Sequence, residues 1–319
     1  MMLSFFAFRR SFTVFALAAT AAQAAPAQTS VQAPVQTPAA YRQDYQPRPA
    51  IWLLSDADTK IYLFGTIHIL APGFKWQSPE LSRVVGEAQE LVVEHYEPPA
   101  AAKAAGEDWE SVRIMMLPRP VPILSRVPPD KRAGLKQAIA RSEVPEPVFD
   151  HLQSWAAAMM MGLAHLLDGY GTEDPDDAPG VEDVLEETFR EAAKPILSVE
   201  DSTRVLRAMN GLPADVQTSM LVEAAEETSQ KTEDSAKDDH EWARGRIEAM
   251  SMDDMIGDFP DPLFDILIRK RNAAWTDWLV ARLDKPGTVL FAVGAGHLAG
   301  RESVQAMLEK RGLKARRVS

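Results

Sequence analysis

The amino-acid sequence predicts an α/β fold, and three observations lead to that prediction. Short apolar segments suited to buried strands alternate with longer segments that have the spacing of amphipathic helices. A strand, a helix and a second strand at residues 61–64, 78–90 and 91–95 follow one another over roughly 30 residues, which is typical of a βαβ unit and favours a parallel pair. Two strands near opposite ends of the chain also end in the same glycine-led turn.

The two turns share the pattern Gly-x-x-His. The first runs from Gly65 to His68 and the second from Gly294 to His297. Glycine lets the chain turn sharply where a buried strand stops, and an imidazole is left at the carboxyl end of the strand. Open α/β sheets bind their ligands at this edge, so we expect both histidines at one site.

The remaining elements follow from periodicity and from turn residues. Residues 51–54 pair with 61–64 as a hairpin, and the segment rich in Ala, Met and Leu at residues 152–167 predicts a buried helix whose methionines fill the core. The polar stretch at residues 223–241 is typical of a solvated helix face or a mobile segment. Further predicted elements are a helix at 181–193, a strand at 194–200, a helix at 264–283, a strand at 288–293 and a helix from residue 301.

The composition excludes several kinds of site. The 319-residue chain has no cysteine, so any metal ligands must be His, Asp or Glu. Its formal net charge of −12 disfavours nucleic acid and anionic membrane surfaces, whereas a basic peptide or a metal cation is an easier partner. The serine-hydrolase elbow, the P-loop, the dinucleotide fingerprint and His-Glu-x-x-His are absent from the sequence.

The N-terminus predicts export. Residues 1–24 combine Arg9 and Arg10, a short apolar stretch and an Ala-x-Ala cleavage pattern, which together indicate a signal peptide. Arg9 to Phe12 also resembles a twin-arginine signal, with an ordinary signal peptide as the alternative. We therefore expect a periplasmic or secreted protein without a transmembrane segment in the mature chain. Residues 25–48, rich in Ala, Pro and Gln, predict a flexible linker before a folded domain at residues 49–319.

Four predicted strand ends carry groups that could perform chemistry: His68, Glu94, Glu200 and His297. Two imidazoles with one or two carboxylates suit Zn, Mn, Co or Fe, and a carboxylate that is not a ligand could act as a general base. Arg271, in the helix before the last strand, could clamp an anion. The alternatives are that each histidine is structural and that the glutamates cap helices or form salt bridges. The other histidines are interpreted as structural or solvated: His95, His151, His165 and His240.

Taken in order, six short segments of the chain resemble the TraB/GumN family, whose animal relatives are the TIKI proteins. The resemblance extends over residues 51–312 and depends on the set and its order rather than on any single segment. The matching segments are residues 63–68, 91–94, 180–182, 194–200, 271–272 and 293–298.

This resemblance implies an α/β (or α+β) fold in which a central mixed sheet carries a large helical insertion. It also implies a metal-dependent peptidase site, with Mn, Co or Zn as the expected metal. Glu182 matches a family glutamate whose role the resemblance leaves undefined. Arg246 stands where relatives are expected to carry an acid, so substrate recognition could differ. The implied ligands are His68, His297 and Glu94, and the implied catalytic or site-organising residues are Glu94, Glu200, Arg271 and Asn272.

The leading hypothesis is an exported metal-dependent hydrolase that acts on a peptide or protein substrate, with Glu200 activating water. Two other functions stay open. One is an envelope protein that binds a metal or a metal-bearing ligand without turnover. The other is an accessory interaction protein of a polysaccharide or envelope pathway, in which the motif histidines are only structural. The sequence leaves the oligomeric state undetermined.

Overall fold

The computed structural model describes residues 37–98, 109–227, 232–251 and 261–319. Within them a single mixed sheet has the strand order β4-β3-β5-β2-β1-β6. Its strands are β1 Ile51–Ser55, β2 Thr59–Thr66, β3 Glu90–Val93, β4 Ile196–Ser198, β5 Gly287–Gly294 and β6 Arg316–Arg317. The predicted α/β class and the mixed sheet are confirmed.

The sheet centre is formed by strands from opposite ends of the chain. β1 and β2 form the predicted antiparallel hairpin, with Leu53 opposite Tyr62. β5 lies between β2 and β3 and is parallel to both. β2 and β3 are therefore parallel, as predicted, but they are not neighbours. The reason is burial: Val289–Val293 is an uninterrupted apolar run with no exposed surface, and such a run fits a strand covered on both faces.

Helices fill the two long connections between β3 and β5. The predicted large helical insertion is thus confirmed, and the short β4 divides it. The helices are α1 Pro79–Glu87, α2 Trp109–Met115, α3 Arg132–Arg141, α4 Glu146–His151, α5 Ser154–Tyr170, α6 Val181–Glu191, α7 Ser202–Asn210, α8 Ala214–Glu227, α9 Thr232–Ala243, α10 Asp261–Phe264, α11 Lys270–Leu283 and α12 Val304–Glu309.

The helix predicted at residues 152–167 is α5, and it is the most deeply buried of these long helices. Met160 and Met161 have at most 1% exposure and fill the core, as predicted. The Trp155 indole donates to Asn210 Oδ1 at 2.7 Å, so its polar atom is satisfied inside the protein. α5 ends at Gly171, which adopts the left-handed conformation that glycine tolerates best.

The segment before β1 is part of the folded domain. Tyr41 is completely buried, with its ring 5.1 Å from that of Tyr170. The Tyr45 hydroxyl lies 2.6 Å from His240 Nδ1, and Arg48 N donates to the Ala243 carbonyl at 2.7 Å. Two tyrosines thus anchor the second part of the stretch at residues 25–48, whose average composition is typical of a linker.

The signal-peptide prediction and the first part of the linker prediction concern residues 1–36, which lie outside the described residues. In the part of the chain that the structure does describe, no helix has the length and apolarity needed to cross a membrane. Residues 228–231 of the predicted polar stretch also lie outside the described residues.

Asp239 on α9 is a buried carboxyl group beside the N-terminal segment. It is 3% exposed, and the Tyr170 hydroxyl lies 3.4 Å from its Oδ2 atom. Burial raises the pKa of Asp239 to about 8, and the charge of Asp238 adds a smaller increase. The hydrogen bond from Tyr170 lowers this pKa but does not outweigh burial. Asp239 is thus a protonated acid in the folded protein at neutral pH.

We expect Asp239 to make stability depend on pH. Because its pKa is higher in the folded than in the unfolded protein, its contribution is complete below about pH 4 and is lost as the pH rises towards 8. Relative to Asp239→Asn, the free energy of unfolding of the wild type should fall by up to about 5 kcal/mol over that interval. Urea denaturation of both proteins at pH 5, 6.5 and 8 measures this change. A constant difference between the two proteins would contradict it.

Candidate functional site

The strand ends of the sheet bring the predicted site residues together. Glu94 follows β3 directly, and Glu200 follows β4 by two residues. The Glu200 N–H donates to the Glu94 carbonyl at 3.1 Å, so the two glutamates leave the sheet side by side. His68 follows β2, and His297 lies on the 3₁₀ turn Ala295–Leu298 after β5.

Arg271, in the first turn of α11, connects these groups. Its Nε and Nη2 atoms donate to the two carboxylate oxygens of Glu200 at 2.9 and 2.7 Å. Nη2 also bonds Glu94, and Nη1 lies 3.0 Å from His297 Nε2. The guanidinium sits 4.8 Å from the centre of the Trp275 ring, a cation–π contact. Burial lowers the pKa of Arg271, but the charges of Glu94 and Glu200 outweigh burial and raise it.

A π-helical turn, Asp265–Arg269, precedes α11 within the stretch predicted as one regular helix. π-turns leave backbone groups outside the regular helical ladder and occur often at functional sites. The Leu267 carbonyl in this turn accepts a hydrogen bond from Arg271 Nη1 at 3.1 Å. The irregular turn therefore contributes an acceptor for the buried guanidinium.

His297 is a neutral imidazole of defined tautomer. Because a guanidinium can only donate, His297 Nε2 accepts from Arg271, and Nδ1 carries the proton and donates to Asn272 Oδ1 at 2.7 Å. Asn272 is held in turn by donating to the Glu302 carbonyl at 2.7 Å. Burial, followed by the charge of Arg271, holds the pKa of His297 well below its ordinary value. The Trp275 ring packs against the imidazole with centroids 4.4 Å apart.

His68 has the opposite electrostatic environment. Its Nδ1 lies 2.6 Å from Glu182 Oε1, and the Thr66 hydroxyl donates to the same oxygen. Burial alone lowers the pKa of His68, but the charge and hydrogen bond of Glu182, aided by Glu94, outweigh it and raise the pKa to about 9. At neutral pH His68 is thus cationic while His297 is neutral, although the two share one sequence motif.

Glu182 reaches His68 because the start of α6 packs closely on the turn after β2. A Cβ atom at Gly180 would lie 2.1 Å from the His68 carbonyl oxygen, so only glycine fits there. The Val181 N–H donates to the Ile67 carbonyl at 2.9 Å. The Gly180 N–H is capped by Asp183 Oδ2 at 2.8 Å. These contacts explain the Gly180–Glu182 segment, to which the sequence assigned no role.

The two motif glycines provide space rather than an unusual backbone conformation. Neither Gly65 nor Gly294 has a positive φ, so the predicted reason for glycine at these turns is wrong. A Cβ at Gly65 would lie 3.0 Å from Ala295 Cα. A Cβ at Gly294 would lie 3.2 Å from both Glu94 Oε1 and His68 Nε2, and the Gly294 N–H donates to Glu94 Oε1 at 2.8 Å. Glycine at 294 therefore lets the polar groups of the site converge.

Glu200 differs from Glu94 in its access to solvent. Its side chain is 13% exposed, against 6% for Glu94, so Glu200 lies on the outer side of the cluster. Burial raises the pKa of Glu200 above its ordinary value, although Arg271 opposes the shift. A carboxylate with a raised pKa and some solvent contact is suited to proton transfer near neutral pH.

Two other residues considered in the sequence, His240 and Arg246, lie away from this cluster. His240 bonds Tyr45 in the N-terminal segment, and Arg246 pairs with Glu241 at the surface. Among the described residues, no group of three or more His, Asp or Glu side chains already has a metal-binding arrangement.

Two residues of the site, Trp275 and Thr66, were not predicted from the sequence. Trp275 had a usable signal, since position i+4 from Arg271 lies on the same helix face.

The comparison with known proteins agrees with this architecture. The model of the TraB/PrgY/gumN family matches residues 50–317, nearly the whole described domain. The chain belongs to the TraB/PrgY/gumN family. The TraB/GumN resemblance drawn from the sequence is thereby confirmed. Neither a curated protein nor a solved structure matches the chain.

We expect Gly294→Ala to disturb this TraB/PrgY/gumN site. The added methyl group pushes on Glu94 and His68, and overpacking of this kind costs about 1–3 kcal/mol. The control is Gly162→Ala on α5, where a Cβ meets no atom within 4 Å and the helix should gain up to about 1 kcal/mol. Urea denaturation measures both effects. Equal stability of the two variants would show that the space at Gly294 is not restrictive.

Proposed function

We propose that this TraB/PrgY/gumN family member is an exported metal-dependent hydrolase that cleaves peptide bonds. One observation carries the proposal: Nε2 of His68 and Nε2 of His297 both lie within 4.0 Å of the same atom, Oε1 of Glu94, at a buried sheet edge. A second carboxylate, Glu200, lies on the outer side of the same cluster. Two imidazoles and a carboxylate, with a further carboxylate for proton transfer, are a common composition of hydrolytic metal sites.

The donor types, two imidazoles and a carboxylate, suit a divalent metal. Glu94 Oε1 is 4.0 Å from His68 Nε2 and 3.9 Å from His297 Nε2. Tetrahedral ligands at roughly 2.1 Å from one ion lie about 3.4 Å apart, so a bound ion would draw each histidine roughly half an ångström closer to Glu94. Gly294 keeps this region free of a side chain, since a Cβ there would contact both Glu94 and His68. To bind a metal, His297 must exchange its hydrogen bond from Arg271, and His68 must release its proton.

The roles of the residues follow from their contacts. His68, His297 and Glu94 would hold the metal, which when bound polarises a carbonyl and lowers the pKa of a coordinated water. Glu200, on the solvent-facing side of the cluster, would accept a proton from water. Its raised pKa makes it a stronger base than an ordinary glutamate. Arg271 keeps both glutamates in place by direct hydrogen bonds. Asn272 sets the tautomer of His297.

A peptide or protein substrate is supported by the family resemblance and by charge. The formal net charge of −12 favours basic segments over nucleic acid. Export is supported by the leader-like pattern of residues 1–24.

Metal content and hydrolysis should depend on the two motif histidines. We expect the full chain, exported and purified without added metal, to hold a divalent metal that His68→Ala and His297→Ala lose. The same variants should fail to cleave a peptide library in the presence of Mn, Co or Zn. Elemental analysis and mass spectrometry of the cleaved peptides are the measurements.

The matched control for the histidine variants is His151→Ala, which removes an exposed histidine at the end of α4 and should change neither readout. Metal retention without hydrolysis would favour the binding-protein hypothesis. Absence of both, even after reconstitution, would reject the metallohydrolase and favour the interaction-protein hypothesis.

Glu200→Gln should separate catalysis from metal binding. Loss of the proton acceptor should lower kcat by about 10²- to 10⁴-fold, while metal content stays near the wild-type level. Glu80→Gln, which changes a surface carboxylate paired with Arg83, serves as the control. Wild-type kcat in Glu200→Gln would exclude this residue as the base.

A further inference from the structure

The two motif histidines differ in the partner that holds Nδ1. His297 donates from Nδ1 to a neutral amide, Asn272, whereas Nδ1 of His68 faces a carboxylate, Glu182. Asn272 comes from the helix that also carries Arg271, but Glu182 comes from α6 on a separate part of the chain. Each motif histidine therefore has an orienting partner at Nδ1, and for His68 that partner is a charged carboxylate rather than a neutral amide.

We propose that Glu182 is the positioning residue of His68, holding Nδ1 against its carboxylate and turning Nε2 towards Glu94 and Gly294. Any effect of this orientation on hydrolysis rests on the proposed function. The orientation of the ring is independent of that function, because it follows from contacts within the protein.

Contacts on both sides of the ring support this assignment. Nδ1 is 2.6 Å from Glu182 Oε1, and the two side chains are only 5% and 4% exposed. The opposite ring nitrogen, Nε2, is 4.0 Å from Glu94 Oε1 and 3.2 Å from the position of a Cβ on Gly294. A flipped ring would place carbon atoms against the buried Glu182 carboxylate and remove its close contact with Nδ1, which is costly.

The surroundings of Glu182 fix its own geometry. Thr66, the last residue of β2, donates its hydroxyl to the same Oε1 atom that faces His68. Glu182 lies in the first turn of the 11-residue helix α6, where the helix dipole favours a negative charge. The close approach of Gly180 to the His68 backbone fixes the distance between helix and histidine. Glu182 is thus held by β2 and α6 and cannot follow a rotation of the ring.

A carboxylate behind a histidine also changes the chemistry of its other nitrogen. In metal sites such a partner fixes the tautomer and raises the basicity of the ligating atom, and its loss typically costs about 10- to 100-fold in metal affinity or activity. For His68, Glu182 would have this effect on Nε2 without touching substrate or metal. Glu182 is therefore a positioning residue rather than a catalytic one.

The test is the state of the His68 ring in protein whose histidines carry ¹⁵N, observed at one fixed pH without added metal. His68→Asn assigns the signal among the six histidines of the chain. In the wild type, Nδ1 of His68 should carry a proton. Glu182→Gln keeps an acceptor and should keep that proton, whereas Glu182→Met removes the acceptor and should lose it.

Glu186→Met is the matched control, because it removes a buried carboxylate one turn later on the same helix and should leave the His68 signals unchanged. Should Glu182→Met fail to fold, Glu182→Gln still decides the question. Replacing a charged acceptor by a neutral one should move the Nδ1–H proton resonance upfield.

An unchanged ring spectrum in Glu182→Met, or an unchanged Nδ1–H resonance in Glu182→Gln, would overturn the positioning role. A changed spectrum in a protein that neither holds metal nor cleaves peptides would reject the proposed function alone. In an active protein, Glu182→Met should lower kcat by about 10- to 100-fold with little change in KM, and Glu182→Gln should restore part of it.

Discussion

The buried positive charge of Arg271 is the constraint around which the rest of the site is arranged. A guanidinium can leave water only where opposite charges and acceptors meet it, and removal of one partner from such a group typically costs about 3–5 kcal/mol. Glu94 and Glu200 supply the charges, and the Leu267 carbonyl and His297 Nε2 supply further acceptors. These partners come from the ends of β3 and β4, from the π-turn and from the turn after β5, so one side chain ties four parts of the fold together.

The same residue makes the repeated motif asymmetric. Burial and then the charge of Arg271 lower the pKa of His297, while Glu182, on the other side of the cluster, raises the pKa of His68. Two histidines with identical Gly-x-x-His spacing thus differ in charge, one neutral and one cationic, because burial and the surrounding charges decide the protonation of a ring. The glycines of the motif belong to the same arrangement. With a side chain at 294, Glu94 and His68 could not approach as closely as they do.

The sheet topology explains how two distant segments reach one site. β5, near the end of the chain, inserts between β2 and β3, with Gly294 in register with Thr66. Insertion places the second motif next to the first and beside Glu94. The N-terminal segment adds support from outside, since Tyr41 packs on Phe74 and Tyr170 close to the loop that follows His68. The folded unit consequently begins before β1.

The sequence by itself determined the α/β class, the hairpin, the main strands and helices, and the residues that gather at the sheet edge. Those features depend on local periodicity and on the Gly-x-x-His turns that end two of the strands, and both are visible in a single sequence. Tertiary structure decided the position of β5, the link from Glu182 to His68, the packing of Trp275 on His297 and the burial of Tyr41. It also replaced the conformational explanation for Gly65 and Gly294 by a steric one. Each of these depends on contacts between residues far apart in the chain, so no local pattern encodes it.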